Sequence, residues 1–500
     1  MNKSSALAII SLACTAMANG QVAMDWPTIG GDAQRTGWAK ADGLITKENV
    51  KDFQLVLKRK FDVLKEKGPR SLAPPVVMGR LISYKGFKEL AFVAGSSDNL
   101  WSIDVDLNRV FWHKRYETAA GTPKAANGSG LCSASITAVP ALNITFSFVA
   151  TRPRVAITGV QATANAASPR PAFAVSSDGK LHFVNTSTGE DAIPPVNFLP
   201  AGAKASGLTF LDGVVYTTTV GGCGGTKNGV WAIDLNSPEG TVTSFALNSG
   251  GVSSLGGLAV GTDGTIYVQT GAGAMDPESS KWANTVLALT PKDLKLKHYI
   301  TSAGSANSLV TPVVFAYKGR DLIVSAGADG SLSLLDSQSL GGADNKTPLY
   351  RTPPLTSAGR SVRGSLASWL DADGTRWVLA PVWGSPNGSI VAFKVEESDG
   401  KPVLTQAWVS REMSSPLPPV IASGLVFVLS AGDYAPDDRP KSNTHATLYA
   451  LDGATGKEMY STGKQVTAPG SLTGVTVANG RVYFATTDNT LYAFGVFLEI

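Results

Sequence analysis

Two arginines three positions apart, Arg360 and Arg363, stand in the small-residue run Gly359-Arg360-Ser361-Val362-Arg363-Gly364-Ser365. A guanidinium offers a planar fork of N–H donors that fits a carboxylate or other oxyanion edge-on, and small neighbours leave room for the approach. Trp383 provides a flat π-face of the kind that stacks on a guanidinium or a planar ligand. Asp433 and Tyr434 open a long polar run, residues 433–445, that also holds Asp437, Asp438, Arg439 and Lys441. As functional residues these form a ligand rim, with Arg363 the leading binding candidate and Arg360, Trp383 and Asp433 beside it. A solvated surface loop is the plainer reading of 433–445.

Other chemistries lack their residues. There is no Gly-x-Ser-x-Gly elbow, no His-Glu-x-x-His and no Walker sequence. The 4 histidines are scattered and no Cys-x-x-Cys-His haem signature occurs, so no metal site is predicted. The net charge of +4 is small for 500 residues, and the basic triplet Lys58-Arg59-Lys60 reads as a solvated strand end. Nucleic acid is therefore not an expected partner.

The first residues read as an export signal, residues 1–18. Lys3 supplies a positive start, residues 6–13 are apolar, and Ala16-Met17-Ala18 places small side chains before a cleavage point at Asn19. The apolar stretch is too short to span a bilayer. Ser11-Leu12-Ala13-Cys14 also offers a lipid-anchor reading at Cys14, but its serine departs from the usual aliphatic residue, and soluble export to the periplasm or medium is the expectation. Removal of the signal leaves Cys132 and Cys223, both in Gly-rich surroundings, as a candidate disulfide in an exported chain.

The elements that must carry these residues are strands. With 53 glycines, 28 prolines and only 16 % charged residues, the chain lacks long runs of helix formers. One pattern recurs eight times, a turn of Asp, Asn or Gly followed by alternating apolar residues. Asp98-Asn99-Leu100-Trp101-Ser102-Ile103-Asp104, Asn228-Gly229-Val230-Trp231-Ala232-Ile233-Asp234 and Asp488-Asn489-Thr490-Leu491-Tyr492-Ala493-Phe494 are examples. Asx-Gly pairs supply the positive φ of tight hairpins, and alternation sets one side chain in two against a core. Upstream of most copies lie two further apolar strands. Downstream lies a strand ending in an aromatic such as Trp112 or Trp408, which makes four strands per unit. Four-stranded units in radial repetition make a propeller. The predicted fold is all-β, an eight-bladed β-propeller of four-stranded antiparallel blades filling residues 19–500 as one domain. The last copy lacks its outer strand, and residues 53–61, which alternate, are predicted to close the ring by supplying it. Trp26 and Trp112 read as core residues that lock blades.

The repeat and the opening Asp25-Trp26-Pro27-Thr28-Ile29-Gly30-Gly31-Asp32-Ala33-Gln34-Arg35-Thr36-Gly37 resemble the PQQ-dependent dehydrogenases over nearly the whole mature chain. The same propeller also serves an outer-membrane assembly lipoprotein, a scaffold, so the resemblance implies a fold more firmly than an activity. In the enzymes it implies Ca²⁺ held by Glu and Asn, an Asp that takes the substrate proton, and an Arg or Lys on the pyrroloquinoline quinone. Alcohol-oxidising members add a vicinal Cys-Cys disulfide. Here Ala272 stands at the calcium Asn position and Ala328 at the Arg/Lys position. Residues 301–308 and 222–225 carry no acid where the catalytic Asp and calcium Glu fall, and no Cys-Cys pair occurs. The reading that follows is an exported PQQ-repeat propeller, non-catalytic or divergent, that binds a protein, a small molecule or a glycan. The alternative is a PQQ/Ca²⁺-dependent quinoprotein dehydrogenase acting on an alcohol or polymer, which, lacking a haem domain, would need a separate electron acceptor.

Overall fold

The computed structural model describes residues 24–61, 71–83, 86–96, 98–116, 141–142, 171–237, 240–252, 254–302, 309–355, 361–384, 388–435 and 438–496. Eight small antiparallel sheets follow one another around a ring, each a blade. The predicted repeat supplies the third strand of every blade. In order these are Asn99–Asp104, Lys180–Asn185, Gly229–Asp234, Thr285–Leu289, Leu332–Asp336, Ser389–Ser398, Thr447–Asp452 and Thr490–Gly495. The expected closure is present. Gln54–Lys60 pairs antiparallel with Thr490–Gly495, so blade 8 takes its outer strand from the other end of the chain.

Alternation does not separate a core face from a solvent face as the sequence pattern suggests. Asn99–Asp104 and Leu332–Asp336 are buried along their whole length. A blade in a ring is sandwiched between two neighbours, so both faces of its inner strands meet apolar surface over most of their length, and the outer strands are wetter. Trp112, in the outer strand Arg109–Arg115 of blade 1, donates its indole N–H to Thr186 O of blade 2 at 2.9 Å. Gly189 lies under that ring with φ +79°, and a Cβ there would come within 2.7 Å of it. Trp408 of blade 6 repeats the arrangement on blade 7, donating to Gly453 O at 3.0 Å. Trp112 thus locks blades as expected.

The residues before the closing strand form a second fastening. Residues 26–42 pass the innermost strands in turn, bonding to backbone that those strands have no other use for. Trp26 exchanges two backbone hydrogen bonds with Val77 of blade 1, and Thr28 Oγ1 donates to Leu208 O in blade 3 at 2.5 Å. The amides of Val260, Val314, Ser368 and Ile421, in blades 4 to 7, donate to Ala33, Gln34, Thr36 and Gly37 carbonyls. The amide of Gly480 in blade 8 donates to Asp42 Oδ2 at 2.9 Å. Arg35, with no exposed surface, rivets the middle of this thread. Its Nε donates to Leu258 O at 2.8 Å, Nη1 to Thr28 Oγ1 at 2.9 Å and to Ile29 O, and Nη2 to Thr209 Oγ1 at 2.6 Å. Burial lowers the Arg35 pKa to about 10 and raises that of Asp32, whose carboxylate accepts from Thr36. No described helix is long and apolar enough to cross a membrane.

Candidate functional site

The innermost strands surround an axial cavity of about 600 Å³. Blades 1, 3, 4, 6, 7 and 8 contribute wall residues, and the thread contributes Trp26, Ile29, Gly30 and Gly37. Most of the wall is apolar or backbone, with prolines from blades 1 and 7. Among the described residues, three ionisable side chains line it, Lys204, Arg363 and Asp438.

The strand Ser361–Ser365 places Arg363, and it is held on both sides. It pairs in parallel with Leu309–Thr311, Leu309 opposite Arg363, and antiparallel with the strand Arg376–Trp383, Ser361 opposite Trp383. Strand alternation puts Ser361 and Arg363 on one face, and the cross-strand register brings Trp383 beside them. The guanidinium carbon lies 4.2 Å from the indole centroid, a cation–π stack, and Nε donates to Ser361 Oγ at 3.2 Å. Nη1 donates to Asp438 Oδ1 at 3.1 Å, and the two side chains are 26 % and 24 % exposed.

Asp438 belongs to the polar run that begins at Asp433. The run joins the second strand of blade 7, Leu425–Ser430, to the third, Thr447–Asp452, which is the repeat copy of that blade. The run is exposed at Arg439, Lys441, Ser442 and Asn443, and its start is anchored inside the protein. Tyr434 is buried, packs 6.2 Å from the Trp383 ring and donates its hydroxyl to Gly470 O of blade 8 at 2.6 Å. The Asp438 and Lys441 amides donate back to Ala435 O and Asp433 O, and Asp438 turns the chain with φ +61°.

The structure therefore brings together Arg363 and Trp383 among the predicted residues. Asp433 supports the loop base, its amide donating to Thr444 Oγ1 at 2.7 Å, and does not line the cavity. Arg360 lies outside the described residues, as do Cys14, Cys132 and the predicted signal, residues 1–18. Cys223 is buried and disulfide-bonded. Sequence reasoning missed Asp438 as the partner of Arg363, Lys204 as a wall cation, and Trp26 as a wall residue as well as a core one. The paired Asp437-Asp438 within the polar run was the available signal for the first.

The donor set bears on the metal that the resemblance implies. Calcium takes six to eight oxygen ligands, several of them carboxylate. Among the described residues the cavity wall offers one carboxylate, Asp438, engaged with Arg363, and the carboxamide of Asn228, whose Oδ1 accepts from Gly222 N. Ala272 lines the wall where an asparagine ligand was sought. Among the described residues no three His, Cys, Asp or Glu side chains converge. These residues do not fit a calcium ion, and two cations in the wall fit an anion instead.

A Ser-His-Asp connectivity does occur elsewhere, unannounced by any sequence pattern. Ser176 Oγ lies 2.8 Å from His182 Nε2, and Asp191 Oδ2 lies 3.1 Å from Nδ1. Ser176 is 2 % exposed and also bonds to Asp178. Thr486 repeats the arrangement in blade 8, donating to Asp488 Oδ1 at 2.6 Å. The serine is part of the hairpin turn, not a nucleophile facing a cleft.

A family model described as "Outer membrane protein assembly factor BamB" matches residues 386–496. No curated protein matches the chain in sequence. Among solved structures, the quinohemoprotein alcohol dehydrogenase of Comamonas testosteroni superposes with TM-score 0.58 at 15 % identity, covering 96 % of this chain and 82 % of that one. The quinohemoprotein alcohol dehydrogenase ADHIIG of Pseudomonas putida HK5 gives 0.58 at 11 % identity, covering 95 % and 81 %. A europium-containing methanol dehydrogenase gives 0.58 at 12 %, covering 94 % and 89 %. At these identities the likeness establishes a common fold, the eight-bladed β-propeller.

Proposed function

We propose that this chain is an exported ligand-binding propeller whose axial cavity captures a small anionic molecule at Arg363, without calcium-assisted quinone oxidation. One observation carries the reading. A guanidinium is stacked on an indole and held by strand register in the wall of a cavity large enough for a compact ligand. The indole covers one face of the cation and excludes water from it, which leaves recognition to the N–H edges and strengthens each hydrogen bond made there. The apolar remainder of the wall suits a ligand with a flat or hydrocarbon body.

Calorimetric titration of the mature protein with pyrroloquinoline quinone, a planar tricarboxylate, tests this with and without millimolar calcium. The expected result is binding that calcium does not change and that Arg363→Gln weakens at least tenfold. Calcium-dependent binding, followed by dye reduction with an alcohol, would overturn the reading in favour of a quinoprotein dehydrogenase. No binding of this probe or of simpler aromatic carboxylates would overturn it in favour of a protein-binding scaffold.

A further inference from the structure

We infer that the seam between blades 4 and 5 binds a hard divalent cation of the calcium class, held by Asp321 and Asp263 with the Tyr267 hydroxyl beside them.

Two seams on opposite sides of the ring are built alike. Blade 1 carries Lys88-Glu89-Leu90 and blade 5 carries Arg320-Asp321-Leu322 at the same place in the second strand, and Lys88 and Arg320 reach the equivalent aspartates Asp104 and Asp336. The preceding blades match as well, with Gly480-Arg481-Val482-Tyr483 in blade 8 and Gly264-Thr265-Ile266-Tyr267 in blade 4. Between blades 8 and 1 the buried carboxylate is answered. Arg481 Nη1 donates to Glu89 Oε2, and the Tyr483 hydroxyl donates to Oε1, each at 2.5 Å. Between blades 4 and 5 a threonine stands where that arginine does, and the acid is one carbon shorter.

Asp321 is 5 % exposed, and its Oδ2 accepts from the Thr262 amide and hydroxyl at 2.6 and 3.0 Å. Its Oδ1 is buried with no hydrogen-bond partner among the described residues, and the same holds for the hydroxyl of Tyr267, a side chain with no exposed surface. A buried carboxylate without a counter-charge is costly. Gly261 shapes the place where one would act. A Cβ there would lie 2.9 Å from Asp321 Oδ2, 3.0 Å from Asp263 Oδ1 and 3.1 Å from Tyr267 Cε2, so two carboxylates and the phenol border one spot. Asp263 is exposed, which gives an ion a way in, and Lys297 Nζ engages its other oxygen at 3.3 Å. Carboxylate and neutral oxygens are what calcium takes, with water completing its shell. The turn at Gly261 follows the strand Leu258–Val260, whereas the wall residues Ser254, Leu255 and Gly256 precede it, so this site is separate from the axial cavity.

Calorimetric titration of the full chain with calcium chloride, and with magnesium chloride for comparison, tests the site at fixed ionic strength. The expected dissociation constant for calcium is about millimolar or tighter, with magnesium weaker, and calcium should raise the melting temperature. Asp321→Asn removes the buried charge and keeps an acceptor for Thr262. It should melt at or above the wild type in chelator and bind calcium at least about tenfold more weakly. Asp263→Asn changes an exposed side chain, leaves the fold intact and should also weaken calcium binding. Calcium binding of equal strength in the wild type and in both variants would overturn the assignment, because the ion would then sit elsewhere. No binding at all would overturn it as well, leaving Asp321 and Tyr267 to meet through water. A melting temperature that calcium and sodium chloride raise equally at matched ionic strength would be screening alone and would overturn it too.

Discussion

Replacing Arg35 with methionine isolates what the thread beneath the cavity contributes. The side chain is wholly buried and donates four hydrogen bonds, to two carbonyls and two hydroxyls from the thread and from blades 3 and 4. Hydrogen bonds from a charged donor contribute roughly 1.5–3 kcal/mol each. Against them stands the cost of burying the cation. Burial drops the guanidinium pKa from 12.5 to about 10, which at 1.36 kcal/mol per unit is a cost of about 3 kcal/mol. Four bonds at the lower figure exceed that cost by about 3 kcal/mol. Methionine removes the cost with the bonds, but it leaves Leu258 O and Ile29 O buried without this donor. The expected loss is therefore about 3 kcal/mol or somewhat more, near the range for breaking other buried charged networks. Urea unfolding followed by tryptophan fluorescence would give it as a shift in midpoint at constant slope. Limited proteolysis would give the location, with new cleavage within residues 26–42 while the blades stay intact. A loss under about 1 kcal/mol would refute the account of Arg35 as the rivet of the thread. Global unfolding without prior cleavage of the thread would refute its separateness.

Three further outcomes are expected. Gly189→Ala should cost about 1–3 kcal/mol, since the residue holds φ +79° and the new Cβ would press on the Trp112 ring; an unchanged melting temperature would mean that the indole lock is loose. Leu57→Ala in the closing strand, where the side chain is 1 % exposed, should cost about 2–5 kcal/mol; a neutral result would mean that ring closure does not depend on that contact. Burial pushes the Asp98 carboxyl above its usual value of 3.8, even with Ser177 donating to it from blade 2. The folded protein then binds more protons at this site than the unfolded chain does, so this contribution to stability falls as pH rises above about 4 and through the raised pKa. Melting temperatures measured from pH 4 to 8 should show Asp98→Asn flattening that decline, and parallel curves would sink the assignment.

The blades were legible because each one repeats the same local chemistry. Asx-Gly turns such as Asn228-Gly229 and apolar alternation are properties of a few adjacent residues, and eight copies reinforced one another. The closing strand was legible because the eighth copy lacked the outer strand that follows the others. The site was harder to read, since its parts meet through the ring and not along the chain. Arg363 and Asp438 are 75 residues apart on different blades, and nothing local marks one as the partner of the other. Trp383 was legible as an aromatic candidate, but its place over Arg363 follows from the register of Ser361 against it. The thread escaped notice for a different reason. Apart from Arg35, Thr28 and Asp42 it binds through backbone amides and carbonyls, which every sequence has.

The paired fastenings also fix when the molecule can finish folding. Met24 N bonds to Asn479 Oδ1 across 455 residues, and Gln54–Lys60 waits for Thr490–Gly495. The residues made early therefore stay unpartnered until the residues made late are available, whatever the blades between them have done. Contacts this distant slow folding far more than they cost at equilibrium. During that interval Gln54–Lys60 is a strand with nothing to pair with, the kind of edge that draws one unfinished chain to another. Lys58, Arg59 and Lys60 lie on it, and like charges on a waiting edge repel a second copy. The basic triplet, read from the sequence as a solvated strand end, would thus guard that edge before the ring is closed.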